Sequence, residues 1–489
     1  MLKKFDKDLL TRIGVALTIV LVSTAVILGA WRIKDDKPTP IEDPVAVYTQ
    51  AVSHLTAAEN IYYKVTGSKI TAANDNTIEE SFSQLITYEA QNSSSFRGCV
   101  EEDLTVGTQN IKSFEFFSEG IAYFTTQSAS YKAEMAQADY TKRYTPVMPI
   151  DSALYAEISG VKTRAQSTIT FSKPGSVESW VAAEGCSILD ATASVIIDSN
   201  GELSESDYTV TYDKSGTIVT LQVKVTVIGE PTLPIQLPDT NAYTEISDIS
   251  VPKLLERACG YLTATQNIYA EYADAIYCEA FGDERIQTST LSACSAEDYT
   301  AMVDTTVSVS NSSKAGAVST AAKYERFEKG VYSYSSDGST YSIESSVDKA
   351  AMLDYVESLL IGTILLPEHI ASVETIETEN EIQYKIRPEE EFASILAQDA
   401  CLMVYQNATV LIEQATDSKT INIASYLCIN KQTGMPTASG FDYSGTYTIG
   451  GIPYKLTFKA DQSYHSEPVV NDDSPDKETP PEENQTTVE

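Results

Sequence analysis

The sequence predicts an α+β protein in which two tandem antiparallel domains follow one transmembrane helix. Three observations lead to this fold class. Residues 13–30 form an apolar stretch without a charged side chain, and three short segments recur in the same order between 207 and 232 positions apart. Each copy also changes from a helical period to the alternating period of strands. The 489 residues suffice for two domains of about 200 residues each.

The N-terminal segment has the features of an uncleaved membrane anchor. We predict a cytoplasmic stub over residues 1–12 and a transmembrane signal anchor over residues 13–31. As a helix, the uncharged stretch would extend roughly 27 Å, which is about the thickness of a hydrocarbon core. Trp31 suits the membrane interface. A cleaved signal peptide is the competing interpretation, but Leu28 fits poorly two residues before a cleavage site at Ala30.

The charge distribution indicates where the rest of the chain lies. The chain has 69 acidic and 34 basic residues, a formal net charge of −35, and almost all acidic residues follow the apolar stretch. We therefore expect a single-pass protein of the cell membrane, with the lipid bilayer as a partner of the N-terminal helix and a C-terminal ectodomain outside the cytoplasm. A surface this acidic repels phosphate backbones, so nucleic acid is not an expected partner.

The chain after the predicted anchor contains two copies of the same series of sequence segments. Six of eight positions are identical between LTAAENIY and LTATQNIY, and two further pairs of segments resemble each other in the same order. The paired segments are residues 55–62 with 262–269, residues 117–131 with 327–341, and residues 195–206 with 427–438. Copies of this size are domains rather than solenoid repeats.

These matches set the predicted domain organisation. The first domain covers residues 41–238 and the second covers residues 251–465, with a short polar linker over residues 239–250. Residues 466–489 contain four prolines and eight carboxylates with almost no apolar side chain. This composition predicts a disordered, solvated acidic tail.

Each copy is expected to begin with a helix and to continue as hairpins. Asp43 is a suitable N-cap before Pro44, and Ser250 precedes Pro252 in the same way. The second copy should contain two further helices, over residues 347–366 and 388–402. Glycine-containing turns are predicted at four places, namely residues 118–120, 199–201, 214–216 and 449–451.

The sequence offers no catalytic motif and no metal site. There are three histidines, far apart, and none of the seven cysteines forms a CxxC pair. Cys259 and Cys428 fall on apolar faces and are interpreted as buried small side chains. A carbohydrate-modifying enzyme would need two facing carboxylates, which no spacing singles out among 69. We therefore predict a protein that is not an enzyme and has no cofactor and no metal.

The order of elements resembles the LolA/LolB-like family of lipoprotein carriers, which includes the LppX-type lipoproteins and the two-domain sensor RseB. The resemblance rests on the opening helix with LTAAENIY, on the strands around Phe117 and Phe327, and on the closing hairpins of residues 423–464. It implies antiparallel half-barrels with helices packed in the concave face, and a gap between helices and sheet that holds acyl chains. A fixed anchor departs from the family, because it does not allow a carrier to shuttle.

The resemblance implies non-catalytic binding of a lipid, a lipopeptide or another apolar ligand in a half-barrel cavity. The candidate lining residues lie on the inserted helix of the second copy, and ordinary packing of that helix on the sheet is the alternative. These residues are Val356, Leu359, Leu360, Ile364 and Leu365. The alternative function is a protein-interaction, spacer or sensor module for an envelope protein, without a small ligand.

Overall fold

The computed structural model describes residues 37–465, except for positions 74–75, 108, 127–128, 145–154, 175–185, 215, 230–233, 237, 266, 281, 295–299, 312–316, 363, 365–368, 390–391, 393–394 and 396–411. Within these residues the chain forms two large sheets and short helices, so it is mainly β. The α+β expectation overstated the fraction of residues in helices, because most of the described residues form the strands of long hairpins. Neither sheet closes on itself within the described residues.

The first sheet is built from the N-terminal half of the described chain. Its strands lie in the order β1-β8-β9-β10-β11-β12-β2-β3-β4-β5-β6-β7-β13. Their bounds are β1 Thr39–Pro40, β2 Ile61–Ala73, β3 Asn76–Glu89, β4 Arg97–Val106, β5 Gln109–Ser118, β6 Ile121–Thr125, β7 Ser130–Glu134, β8 Tyr155–Lys162, β9 Gln166–Pro174, β10 Cys186–Asp198, β11 Leu203–Lys214, β12 Thr217–Gly229 and β13 Thr244–Glu245.

The second sheet is built from the C-terminal half. Its strands lie in the order β19-β18-β17-β16-β15-β14-β24-β23-β22-β21-β20. Their bounds are β14 Asn267–Cys278, β15 Asp283–Cys294, β16 Thr300–Asn311, β17 Ala317–Glu328, β18 Val331–Ser335, β19 Ser342–Ser346, β20 Ile370–Glu377, β21 Glu381–Pro388, β22 Asp417–Asn430, β23 Pro436–Ile449 and β24 Ile452–His465.

Helices stand at equivalent places in the two halves. Helix α1 (Pro44–Ala57) precedes β2, and helix α3 (Val251–Ala264) precedes β14. Helix α2 (Gln137–Tyr144) lies between β7 and β8, and helix α4 (Lys349–Ile361) lies between β19 and β20. The predicted helix over residues 347–366 is therefore present in a shorter form. Most of the helix predicted over residues 388–402 lies outside the described residues.

The two sheets share one strand order. When the second sheet is read from β20 to β19, its strands follow the same sequence of positions as β8 to β7 in the first sheet. In both sheets the last long strand pairs with the first, β12 with β2 and β24 with β14, both antiparallel. The segments that repeat in the sequence fall on corresponding elements of this common topology.

Local sequence signals explain much of this pattern. The Asp43 side chain accepts a hydrogen bond from the Ala46 amide at 2.9 Å, as expected of an N-cap. Ser250 does not cap α3 in this way; its hydroxyl donates to Asp248 Oδ1 at 2.6 Å instead. All four predicted glycine turns join adjacent antiparallel strands.

The hydrophobic core is continuous between the two halves. One cluster of buried apolar residues includes Ile86 and Phe171 from the first half with Leu291 and Phe327 from the second. Helix α3 contacts β4 and β5 of the first sheet as well as α4 and β23 of the second half. Gly260 permits this approach, because a Cβ atom at that position would lie 2.9 Å from Val106 Cβ.

The segment predicted as a polar linker is integrated into the first half. Its strand β13 pairs in parallel with β7 of the first sheet. Ile246 and Ile249 are buried in the common core. Among the described residues no helix is long and apolar enough to cross a membrane. The predicted anchor over residues 13–31, the stub before it and the tail over residues 466–489 lie outside the described residues.

Candidate functional site

The residues predicted to line a cavity lie on or just after α4. Val356, Leu360 and Ile364 are buried in the common core, and Leu359 packs against its edge. Leu365 lies outside the described residues. The Leu360 carbonyl accepts a hydrogen bond from the Tyr464 hydroxyl at 2.8 Å, which holds α4 close to β24. The geometry of the described residues is that of helix-on-sheet packing, and a ligand contact there stays a prediction.

A larger cavity lies in the first half, at the junction of α1 with β2. Its volume is about 510 Å³, which is within the size range of small-molecule sites. Helix α1, strands β2 and β3, the turn after β3, and helix α2 surround it. Its apolar and aromatic lining residues are Val52, Leu55, Ile61, Tyr63, Tyr88 and Ala138. We refer to it as the α1–α2 cavity.

The remaining lining residues are polar but uncharged. They are Thr56, Gln91, Asn92, Gln137 and Thr141. Asn92 Nδ2 donates to the Thr56 carbonyl at 3.2 Å, and Gln137 Nε2 donates to the Gln91 carbonyl at 3.0 Å. These bonds connect the end of α1 to the start of α2 through the intervening turn. They fix the polar part of the wall without placing a charged side chain in the lining.

Tyr88 is the more deeply buried of the two tyrosines in the lining of this site. Its side chain is 1% exposed, and its hydroxyl has no hydrogen-bond partner among the described residues. The ring packs edge-to-face against Tyr63 and lies against Phe96, with centroids 6.3 Å and 5.4 Å apart. Burial raises the pKa of the Tyr88 hydroxyl, with further contributions from Tyr63 and Glu115, so the side chain is a neutral phenol. The hydroxyl is closed to water and to any molecule in the cavity, so its lack of a partner is a cost to the folded state.

A buried ion pair fixes the position of α2. Glu115 on β5 is 2% exposed and accepts a hydrogen bond from Arg143 on α2 at 3.1 Å. Tyr140, also on α2, stacks on Phe117 with ring centroids 4.9 Å apart. Gly98 leaves the space for the Tyr140 ring, which a Cβ atom there would overlap. Helix α2 is therefore a defined wall of the cavity.

The second half contains an equivalent buried glutamate. The repeat places Glu325 on β17 at the position of Glu115 on β5, within YERFEKG and FEFFSEG respectively. Glu325 accepts hydrogen bonds from Tyr332 at 2.6 Å and from Tyr355 on α4 at 3.3 Å. Each half thus ties its inserted helix to the sheet through a glutamate at the same register.

A smaller cavity of about 170 Å³ lies between the two halves. Ile78 of the first sheet, Leu262 and Ile268 around the start of β14, and Met435 of the turn after β22 contribute to its lining. The motifs LTAAENIY and LTATQNIY therefore contribute equivalent residues to both cavities, Leu55 and Ile61 to one and Leu262 and Ile268 to the other.

Ion pairs cross from α3 to the first sheet beside this smaller cavity. Arg257 donates to Glu80 Oε2 at 2.7 Å, and Lys69 Nζ lies 3.1 Å from Glu80 Oε1. Tyr261 donates a hydrogen bond to Glu80, and Lys253 pairs with Glu102 one strand further along. Burial alone would raise the pKa of Glu80, but the charges of Arg257 and Lys69 outweigh it and hold that pKa below its usual value.

The described residues contain no cluster of three or more side chains suited to a metal ion. Cys259 and Cys428 are buried, as expected from their apolar faces, and burial raises the pKa of the Cys259 thiol to about 12. Cys99 is a free thiol whose pKa burial also raises, again to about 12. These thiols are therefore protonated at neutral pH.

Comparison with known proteins adds little to this site. No family model matches the chain, and no curated protein matches it. The structure is similar to that of LprF from Mycobacterium bovis, with 12% identity, coverage of 41% of this chain and 98% of that chain, and a TM-score of 0.23. It is also similar to a protein of unknown function from Nostoc punctiforme, with 8% identity, coverage of 85% and 98%, and a TM-score of 0.12. TM-scores this low carry no inference about fold family or function.

The cavity residues were not among those predicted from the sequence. Sequence reasoning followed the longest apolar helix, which packs into the core instead of opening onto the cavities described above. The repeated LTAAENIY motif was the better signal, since its Leu55 and Ile61 line the α1–α2 cavity. Tyr88 had no such signal, because its position depends on the pairing of β2 with β3.

Proposed function

We propose that this chain binds one small apolar or amphipathic molecule of the lipid class in the α1–α2 cavity and does not convert it chemically. The observation that carries the proposal is a cavity of about 510 Å³ with apolar and aromatic walls and no charged side chain in its lining. Apolar walls with a few placed polar groups are typical of small-molecule sites. In this proposal each half is a half-barrel that encloses helices on its concave face.

The lining also favours binding over catalysis. It contains no carboxylate, thiol or imidazole, which are the usual groups for proton transfer or nucleophilic attack. Its amide side chains are engaged with main-chain carbonyls at the rim. Such groups can orient a ligand but cannot exchange protons with it at neutral pH.

We further propose that residues 13–31 anchor the chain in the cell membrane and that residues 37–465 lie outside the cytoplasm. The uncharged apolar stretch and the acidic body that follows it support this arrangement. In this location the bilayer is the source of the ligand. Protease added to intact cells should remove the acidic body, and alkaline carbonate should leave the chain in the membrane fraction. Recovery in the carbonate supernatant would contradict the anchor.

Photolabelling of the full chain tests the binding site. The full chain, in a non-ionic detergent, is irradiated with a long-chain alkyl diazirine, and labelled peptides are mapped by mass spectrometry. We expect labelling at residues 52–63, 88–92 and 137–141. Ala138→Trp should remove it by filling the cavity from α2, whereas the same change at Ala46, an exposed alanine near the start of α1 and away from the lining, should not. Labelling that is spread over the surface, or that persists in Ala138→Trp, would contradict this site.

A second candidate function is a rigid spacer or interaction module for an envelope protein. The continuous core and the ion pairs from α3 to the first sheet favour it, because they hold the two halves together. In that case the photolabelling experiment gives no specific label. The full chain should instead retain a protein partner after chemical crosslinking in intact cells.

A further inference from the structure

We propose that the free edge of β19 binds an extended segment of a partner protein, which adds a parallel strand to the second sheet. The site consists of Ser342 and Ile343, and the partner segment carries an apolar side chain beside Ile343. This inference does not depend on the proposed lipid site, because it concerns the edge strand of the other half.

The first step is that the chain already covers the equivalent edge of the first sheet. Strand β13, from the segment between the two halves, pairs in parallel with β7 and is the last strand of that sheet. Thr244 lies beside Tyr131, and Glu245 lies beside Lys132. The Ile246 amide donates a hydrogen bond to the Lys132 carbonyl at 2.9 Å. The covering segment is thus extended and pairs over two residues.

The second step is the register that relates the two edges. Strands β6 and β18 are equivalent, since Tyr123 and Ser333 occupy the same place in the repeated segments. Lys132 of β7 pairs with Tyr123, and Ile343 of β19 pairs with Ser333. Ile343 is therefore the counterpart of Lys132, and β19 is the counterpart of β7.

The third step is that the counterpart edge is open. Among the described residues β19 is the last strand of the second sheet, with β18 on one side and no strand on the other. Ile343 is 76% exposed, and Val331 on the same face of β18 is exposed as well. An edge strand presents unpaired N–H and C=O groups to any extended segment that can add to it. Such a segment would also cover Ile343.

The fourth step is the chemistry of the partner segment. At the covered edge, acidic Glu245 lies beside basic Lys132. At the open edge the apolar Ile343 takes the place of Lys132, so the matching side chain is β-branched or aromatic. The residue after it must not be proline, because its amide donates to the Ile343 carbonyl as the Ile246 amide does to Lys132.

The C-terminal segment of the chain itself is a less suitable occupant. Gly229 at the end of β12 corresponds to His465 at the end of β24, since each pairs with the tyrosine that ends the repeated motif. Glu245 follows Gly229 at the same distance as Pro481 follows His465. Pro480 and Pro481 have no amide hydrogen to donate to a strand, and acidic residues follow them. A partner protein is therefore the occupant that fits this edge.

Binding of three fluorescent peptides to the full chain in a non-ionic detergent tests the inference. The acidic peptide has the sequence of residues 241–248, the apolar peptide carries Glu245→Ile, and the blocked peptide carries Ile246→Pro in addition. Fluorescence anisotropy should show that the apolar peptide binds about threefold to fivefold more tightly than the acidic peptide, as expected for a matched pair of side chains. The blocked peptide should bind at least about tenfold more weakly than the apolar peptide.

Ile343→Lys should reverse this preference, so that the acidic peptide binds more tightly than the apolar peptide. Ile286→Lys is the matched control, because Ile286 is an exposed isoleucine on β15, a strand that is paired on both sides. This control should keep the wild-type preference. Absence of binding of the apolar peptide to the wild type, or an unchanged preference in Ile343→Lys, would overturn the inference.

A photoreactive p-benzoylphenylalanine in place of Ile343 distinguishes the possible occupants in intact cells. Crosslinks to a segment of another protein that has an apolar residue followed by a residue other than proline would support the inference. Crosslinks to residues 466–489 of the same chain, or to a second copy of the chain, would overturn it. All of these outcomes leave the proposed lipid site to its own photolabelling test.

Discussion

Replacement of Asp274 by asparagine should stabilise the protein at neutral pH. Asp274 lies on β14, between Ala460 of β24 and Gln287 of β15, and shares a face of the strand with the buried residues Ile276 and Cys278. Burial raises the pKa of Asp274 to about 6, and the charge of nearby Asp461 adds to the shift. The charged form is therefore unfavourable in the folded state.

The sign and size of the effect follow from this shift. Below the ordinary value of 3.8 the carboxyl is protonated in both the folded and the unfolded chain, so it has no effect on stability. As the pH rises from 3.8 to about 6, the unfolded chain loses the proton before the folded chain does, and stability falls. The full cost above pH 6 is at most about 3 kcal/mol. Asp274→Asn removes it, so the gain should appear at neutral pH and vanish near pH 4.

Urea unfolding of the full chain, followed by far-UV circular dichroism between about pH 4 and pH 8, measures this effect. The unfolding midpoint of Asp274→Asn should exceed that of the wild type at neutral pH, and the two should converge in acid. Asp442→Asn, at an exposed position on β23 of the same sheet, is the control and should change stability by no more than about 0.5 kcal/mol. A loss of stability in Asp274→Asn at neutral pH, or a gain independent of pH, would refute the reasoning.

Two further changes test the contacts that position the site. Glu80→Gln leaves Arg257 without its carboxylate at the contact between α3 and the first sheet. The change should lower the unfolding free energy by about 3–5 kcal/mol and split the calorimetric transition in two. A single, unshifted transition would contradict this. Glu115→Gln should loosen α2, so that amide hydrogens of residues 137–144 exchange faster and photolabelling weakens. Glu325→Gln is the counterpart of this change in the second half and should leave hydrogen exchange and photolabelling at α2 unchanged. Equal effects of the two variants would show that the cavity does not depend on the ion pair between Glu115 and Arg143.

The repeated order of helices and strands could be predicted because the sequence patterns that indicate it are local. The turn residues, the Asp43 cap and the alternation of apolar residues depend on neighbours in sequence, and the structure places them as expected. The LTAAENIY motif was also informative, because a helix-to-strand junction recurs wherever the domain begins. The length of the helix over residues 347–366 was overestimated, since apolar residues continue past its end at Ile361 into the core.

The site could not be predicted because it depends on contacts distant in sequence. Tyr88 reaches the cavity only because β3 pairs with β2, and α2 forms a wall only because Arg143 meets Glu115 on β5. Likewise, the charges on α3 gave no sign that they would pair with Glu80 across the two halves. Pairs separated by this much sequence carry no periodic signal, so sequence patterns gave no indication of these contacts.

Native mass spectrometry of the full chain, extracted from membranes in a non-ionic detergent, tests the central claim most directly. The α1–α2 cavity predicts an additional mass of lipid size on the wild-type chain, removable by solvent extraction and regained after incubation with a membrane extract. The additional mass should be absent from Ala138→Trp and present in Ala46→Trp. A bare wild-type chain, unchanged by incubation with the membrane extract, would contradict the account.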